Sequence, residues 1–445
     1  MQKYNARLKE ILKIGVPAIL ENLAHVLVLF IDTQMISVLG NEAISAVSLT
    51  TQPNMLFVSI FFALGTTVSV FVAQAYGKKD KAMAHNYFFS VIKIAFAISL
   101  ALGILLHFLA EPIIFLFNRQ AESVQLSAEF FGIIMIFLPF RAFSIVLNGA
   151  LRGIGKTKVT LIAGLVMGAA DIFMNYLLIE GRFGFPRLEV AGNAIATGLS
   201  FVATAAVSLS FILRRSEFLT LNGFANFKLS DKIVLNEIKS KAGNVVVENI
   251  SMRIGFLLFG VIVSMLSPNQ TAVYFVAMIL MNFTFSFGDG LQNAVIAICG
   301  RCVGAKDFST FQNYVKLFNL TGIVLSITIG LIYTLGAETF FGFFFEDDVL
   351  LELGAKTAVI VAIISLFQIV RFVNVAIMRS LGEMKFPREI AAKCVLFVNP
   401  ILSFLFVCVF EMNILGVWLA IFLTQLLWMT ASIVKVRQCL KNFSD

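Results

Sequence analysis

Charge is scarce in this chain. Asp, Glu, Lys and Arg together make up 13% of its 445 residues, against 59% hydrophobic side chains and 47 phenylalanines. So little charge excludes a soluble globular protein and leaves a polytopic membrane protein. Cysteine is scarce too: Cys299, Cys302, Cys394, Cys408 and Cys439 all lie in or beside apolar runs, which excludes a secreted disulfide framework. Cys299-Gly-Arg-Cys302 spells C-x-x-C, but no second pair accompanies it, so it reads as buried thiols and not as a metal or redox centre. Also missing are His-Glu-x-x-His and Gly-x-Ser-x-Gly. Gly153-Ile-Gly155-Lys156-Thr157 imitates the end of a P-loop, yet the glycine required five residues before Gly155 is Ala150, and an apolar helix precedes it where a strand is needed. No enzyme, no cofactor and no structural metal is therefore expected.

The formal charge of +8 comes from 34 Lys and Arg against 26 Asp and Glu. Nucleic acid is not the expected partner, because basic patches interleaved with aromatics are absent from the polar segments. A cleavable signal is not expected either: Lys3, Arg7, Lys9 and Lys13 precede an apolar run too long for a signal peptide, so the first helix should stay as an anchor.

Long apolar runs are what the chain has in quantity. They fall near 14–39, 49–75, 84–109, 125–150, 158–179 and 188–213, then near 242–266, 271–300, 315–336, 351–377, 386–410 and 413–434. Open strands cannot satisfy their backbone in lipid, so the expectation is an all-α polytopic protein of twelve transmembrane helices. Twenty-five Lys and Arg lie in the amino terminus, one set of alternate loops, the central linker and the carboxyl terminus. The opposite loops hold four, Arg119, Arg182, Arg187 and Lys356. Both termini are accordingly expected in the cytoplasm, with the protein in the inner (cytoplasmic) membrane.

A spacing of 227 residues relates the two sets of six runs. Glu21-Asn22 returns as Glu248-Asn249, Gly77-x-Lys79-Asp80 as Gly304-x-Lys306-Asp307, and Arg152-x-x-Gly155-x-x-Lys158 as Arg379-x-x-Gly382-x-x-Lys385. Asn86-Tyr87, Ala110-Glu111 and Thr197 return as Asn313-Tyr314, Ala337-Glu338 and Thr424. The expected domains are an N-lobe over 1–213, a cytoplasmic linker over 214–241 and a C-lobe over 242–445. The linker segment FANFKLSDKIVLNEIKSK reads as a short amphipathic surface helix. Because six is even, both repeats enter from the same side, as parallel repeats with a pathway at their interface.

Ionisable residues inside apolar runs cost roughly 2.5–3.5 kcal/mol each at a helix centre, so they mark candidate sites. In the first run Glu21, His25 and Asp32 fall within about 40° on one helical stripe. Counting residues along each helix places Asp32, Asp171 and Thr197 in the outer half of the first lobe, with Asn175 on the face of Asp171. A carboxylate pair with amide and hydroxyl neighbours suits uptake of H⁺ or Na⁺. The alternative for Asp32 is a structural acid satisfied by helix-end groups or by an arginine such as Arg141. Glu21 and Glu248 lie near the cytoplasmic mouth, as a gate or as hydrogen-bond anchors. Asp289 and Arg253 are second-lobe candidates, alongside Arg371. The Phe-rich run at 340–345 reads as lipid-facing or loop-anchoring.

The segments PAILENLAHVLVLFIDTQMISVLGNEAISAVSL, VAQAYGKKD, LNGALRGIGKTK and VAGNAIATG, with their echoes ICGRCVGAKD and AIMRSLGEMKFP, resemble the multidrug and toxic compound extrusion (MATE) family, in its DinF-like bacterial branch. The resemblance covers essentially the whole chain. It implies two six-helix lobes around a central cavity, and an antiporter that exports organic, often cationic or amphipathic, compounds in exchange for H⁺ or Na⁺ by alternating access. The family's first-lobe cation site maps on Asp32, Asp171, Asn175 and Thr197. That branch usually shows Asn then Asp in helix 5, whereas here Asp171 precedes Asn175. A second-lobe Asp of another branch is Phe367 here. Expected partners are a small organic substrate and the bilayer, with the chain as a monomer. The alternative function within the same superfamily is a flippase of lipids or lipid-linked oligosaccharides.

Overall fold

The computed structural model describes residues 2–117, 121–229 and 231–444; Arg119 lies outside them. All regular secondary structure among the described residues is helical. The first six long helices are α1 (Gln2–Ser37), α2 (Asn41–Lys78), α3 (Lys81–Phe108), α4 (the pair Val124–Ile136 and Leu138–Gly153), α5 (Thr157–Leu178) and α6 (Glu189–Arg215). The second six are α7 (Lys232–Val263), α8 (Pro268–Gly304), α9 (Phe308–Leu335), α10 (Asp348–Ser380), α11 (Lys385–Val409) and α12 (Asn413–Ser444). Eleven of them are long and apolar enough to cross a membrane, and the bent pair makes a twelfth. The chain is a multi-pass membrane protein.

The 53° bend of α4 follows from Pro139, whose ring excludes the hydrogen bond to the Met135 carbonyl and breaks the helix at Phe137. The equivalent residue in α10 is Leu366, and α10 runs unbroken from Asp348 to Ser380. The repeated loops are built alike. Lys79 and Lys306 both turn into the left-handed region, at φ 58° and 55°, and Asp80 and Asp307 then cap α3 and α9. Their Oδ1 atoms accept from the Met83 and Thr310 backbone N–H groups at 2.9 and 3.0 Å. The Thr310 N–H holds the Asp307 carboxyl below the usual carboxylate range. Gly155 and Gly382 take the matching positive φ values of 76° and 84° after α4 and α10.

Contacts divide the chain into two compact units, Leu20–Gly243 (the N unit) and Met1–Ile19 with Asn244–Asp445 (the C unit). The borders fall inside α1 and α7, close to repeat-equivalent positions. Each unit therefore includes the opening turns of the other repeat's first helix. In the C unit, Glu10 of α1 accepts a hydrogen bond from Arg301 Nη2 at 2.6 Å and another from the Tyr314 hydroxyl. A side chain on Gly290 of α8 would sit 2.6 Å from the Ile19 backbone, so glycine sets that approach. In the N unit, Glu237 of α7 accepts from the Tyr87 hydroxyl, and Lys241 Nζ lies 4.5 Å from the centre of the Phe71 ring. Glu10 and Glu237, like Tyr87 and Tyr314, stand one repeat apart.

The segment expected as a separate surface helix divides differently. Residues 216–229 form turns, and the helix that begins at Lys232 runs on without a break to Val263. Asp231 caps it, with Oδ1 accepting from the Ile233 and Val234 N–H groups at 3.0 and 3.2 Å. No proline interrupts α7 between Lys241 and its apolar part, so the polar turns and the span form one helix. The turns are pinned to α3 where Lys93 donates to the Phe227 carbonyl and Phe89 meets Phe224 and Phe227 edge-on.

In the N unit the second half of α4 packs on α2, α3 and α6; in the C unit α10 packs on α8, α9 and α12. Both central helices carry an arginine in their last turn, Arg152 and Arg379. Of the Phe-rich run, Phe341 is fully buried while Phe343 and Phe344 are exposed, so it anchors by one ring.

Candidate functional site

The polar stripe of α1 lies along α5, where small residues admit it. A side chain on Gly164 would sit 3.5 Å from the Glu21 Cγ, and one on Gly168 would reach within 2.4 Å of Val28. Glu21, 1% exposed, accepts from Arg152 Nη2 at 2.5 Å and from the Thr160 hydroxyl at 2.6 Å. Of the two roles open to Glu21, the geometry is that of an anchor tying α1 to the end of α4 and the start of α5. His25 shares the face and the field of Glu21 but makes no hydrogen bond with the described residues.

Three turns above Glu21, Asp32 meets α5 and α6. Its Oδ1 accepts from Asn175 Nδ2 at 2.8 Å and from Asn193 Nδ2 at 2.6 Å. Asn193 also donates to Asn175 Oδ1 at 3.0 Å, and Asn175 reaches Asp171 Oδ2 at 3.4 Å. Asp171 lies in the field of Asp32, beside the Thr197 hydroxyl, and its Oδ1 is buried without a hydrogen-bond partner among the described residues. The four residues expected together, Asp32, Asp171, Asn175 and Thr197, are thus one cluster. Arg141 is not the partner of Asp32. Its Nη1 donates to Asn54 Oδ1 at 2.9 Å and its guanidinium lies 4.8 Å from the Phe201 ring centre.

Asn193 is the member that sequence reasoning did not single out. A signal was there: it precedes Thr197 by four residues, and so shares its helical face, inside the motif VAGNAIATG. Its own Oδ1 is also buried without a partner among the described residues. The cluster therefore offers two carboxylates and several amide and hydroxyl oxygens, with no base among the described residues hydrogen-bonded to either acid. Such an oxygen-rich set suits a compact cation, whether H⁺ or a hard metal ion such as Na⁺.

The second repeat rebuilds the lower half of this arrangement and omits the upper. Glu248 accepts from Arg379 Nη2 through both oxygens, at 2.9 Å each. Arg379 Nη1 donates to Gln292 Oε1 at 3.2 Å, and Gln292 Nε2 donates to Asp289 Oδ1 at 3.0 Å. Asp289 and Glu248 thus belong to one network, whereas Arg253 stands outside it. Where the N unit has Asp32, Asp171 and Asn175, the equivalent residues are Phe259, Val398 and Leu402. The pair of acids joined by amides is thus not repeated at the equivalent positions of the C unit.

A family model for MatE matches residues 17–177 and again residues 245–405, so the duplication seen in side chains is also seen by homology. The chain belongs to the MatE family. Among relatives of this MatE protein, a probable multidrug resistance protein NorM of Thermotoga maritima is 23% identical over 412 residues, covering 92% of this chain and 88% of that one. An uncharacterized transporter, YisQ, of Bacillus subtilis is 24% identical over 408 residues, covering 87% and 85%. Among solved structures, the outward-facing conformation of a multidrug resistance MATE family transporter of the MOP superfamily superposes with a TM-score of 0.90 at 18% identity, covering 99% of this chain and 97% of that one. A MATE crystal structure in the bent conformation gives 0.88 at 19% identity, covering 98% and 96%. At such identities the structural likeness establishes the fold.

Proposed function

We propose that this MatE-family protein is a multidrug efflux antiporter, exporting organic, often cationic or amphipathic, compounds in exchange for H⁺ or Na⁺ taken up at Asp32 and Asp171. The observation that carries the reading is the buried Asp171 Oδ1 beside Asp32, which has no hydrogen-bond partner among the described residues. A buried oxygen without a donor costs about 1–3 kcal/mol, more when charged, and a proton or sodium ion relieves that cost. Asn175 and Asn193 hold Asp32 so that binding at one acid is felt by the other. A single charge carried through the membrane field gains about 2.3 kcal/mol per 100 mV, enough to drive extrusion several tens of fold. The family membership and the names of the relatives support efflux as the direction of transport. The distribution of Lys and Arg supports a cytoplasmic-membrane protein with both termini inside. The chain acts as a monomer with the bilayer as its environment.

Purified protein in proteoliposomes, given a Na⁺ or an H⁺ gradient in turn, should drive efflux of a cationic dye with one of them. Asp32→Asn should abolish the gradient dependence; dye efflux that stays coupled to the gradient in that variant would overturn the assignment.

A further inference from the structure

A second polar site lies wholly within the C unit, and its sign is opposite. Arg371 of α10 is 3% exposed. Its guanidinium lies 4.0 Å from the Trp428 ring centre and 4.4 Å from that of Phe372, so two aromatic rings pack against it while its N–H groups point outward in its own plane. The Nε and Nη2 atoms, which together form the side-on edge of the fork, are buried and meet no acceptor among the described residues. That edge is the one that takes a carboxylate through two parallel hydrogen bonds. The carboxylate in its field, Glu248, gives both oxygens to Arg379.

The comparison with the N unit sharpens the point. Arg141 likewise lies over an aromatic ring, Phe201, which stands one repeat from Trp428, but Arg141 is satisfied by Asn54. The residue one repeat from Asn54 is Met281, which lines a cavity of about 60 Å³ against Arg371. That volume holds roughly two waters, or the head of a carboxylate. Around it stand Asn399 and Gln425, each with a buried side-chain oxygen lacking a partner among the described residues, and the Trp428 indole, whose Nε1–H is likewise unanswered. Each amide can turn its –NH2 toward an anion, and the indole can only donate. A native interior leaves few such groups, and here several converge with a guanidinium that stays charged. The remaining walls include Met252, Met278 and Phe256, apolar and adaptable side chains suited to a hydrocarbon tail. Two π-helical stretches, Cys394–Val398 and Leu405–Val409, widen α11 next to the cavity, while its repeat mate α5 is regular. Such widened turns often accompany functional sites.

We propose that the C-unit cavity at Arg371 is a receptor for the carboxylate of an amphipathic organic anion, held side-on by Nε and Nη2 with Gln425, Asn399 and Trp428 around it. This site is independent of the cation cluster and extends the range of ligands beyond organic cations.

The test uses purified full-length protein in detergent, in a chloride-free sulfate buffer, with benzoate as the probe and benzamide as its neutral isostere. Binding is followed by tryptophan emission, since Trp428 lines the cavity, and by thermal shift. Benzoate should change the emission saturably and raise the unfolding temperature, and benzamide should do neither. Arg371→Gln should weaken benzoate binding at least tenfold, and Arg371→Lys should weaken it by less, because it keeps the charge and loses the fork. Equal binding of benzamide and benzoate, or unchanged affinity in Arg371→Gln, would overturn the proposal. Binding of chloride without binding of benzoate would overturn the carboxylate assignment. If Arg371→Gln does not fold, the contrast between benzoate and benzamide on the native protein decides alone.

Discussion

The two repeats share an anchor and differ in the chemistry above it. Both place a glutamate on the first helix against an arginine at the end of the fourth, Glu21 with Arg152 and Glu248 with Arg379. The N unit then adds Asp32, Asp171 and their amides, whereas the C unit puts apolar side chains at the matching places and holds a guanidinium, Arg371, one edge of which meets no acceptor among the described residues. What is kept twice holds helices together; what differs is the sign of the buried charge above the anchor. The packing tells the same story in another register. In the N unit, Gly168 of α5 makes room for Val28 of α1; in the C unit the equivalent pair is reversed, with Gly255 of α7 making room for Val395 of α11. The close approach of the two helices is preserved although the glycine has moved to the other helix.

The comparison breaks most visibly at the acids. Asp32→Asn should reduce gradient-driven dye efflux at least tenfold while the protein still folds, measured by transport beside an unfolding curve; a loss of both together would make Asp32 a structural acid. Next come the anchors. Arg379→Ala leaves Glu248 buried and unpaired and should cost about 3–5 kcal/mol. Arg152→Ala should cost less, because the Arg152 side chain is 23% exposed against 7% for Arg379, and thermal unfolding of the two variants ranks them. Gly168→Ala and Gly255→Ala should each cost about 1–3 kcal/mol by overpacking. Val28→Ala should rescue the first and Val395→Ala the second; a double-mutant cycle showing no coupling would mean that the reversed pair is not an equivalent contact. The smallest effect separates the two tyrosines. Tyr87→Phe and Tyr314→Phe each remove one hydrogen bond, about 1 kcal/mol. The loss at Tyr314 should be the smaller, since Glu10 keeps Arg301.

Much of this was legible in the chain. The apolar runs gave the helices, and the 227-residue spacing gave the duplication, because both are statements about local pattern. The grouping of Asp32, Asp171, Asn175 and Thr197 was legible from depth along each helix, a quantity that counting residues supplies. Asn193 was missed because a neutral amide in a helix carries little cost of its own and so little signal. Arg141 was offered as a partner for Asp32 and belongs to Asn54, since charge alone does not say which acceptor lies within reach. The separate helix expected over the linker failed for a related reason: amphipathic periodicity marks a face, and nothing in it marks where α7 should stop.

The sequence by itself determined that the chain spans a membrane, how many times it repeats itself, and which polar groups stand where lipid would make them costly. Those follow from composition and from helical geometry, which act over a few turns. Only the tertiary structure decided that the opening turns of α1 and α7 are grouped with the opposite repeat, that Glu21 closes on Arg152, and that Asp171 Oδ1 and the Arg371 Nε and Nη2 are buried with no partner among the described residues. Whether a buried group is satisfied depends on residues distant in the chain arriving at about 3 Å with the right direction, and no local pattern carries that information.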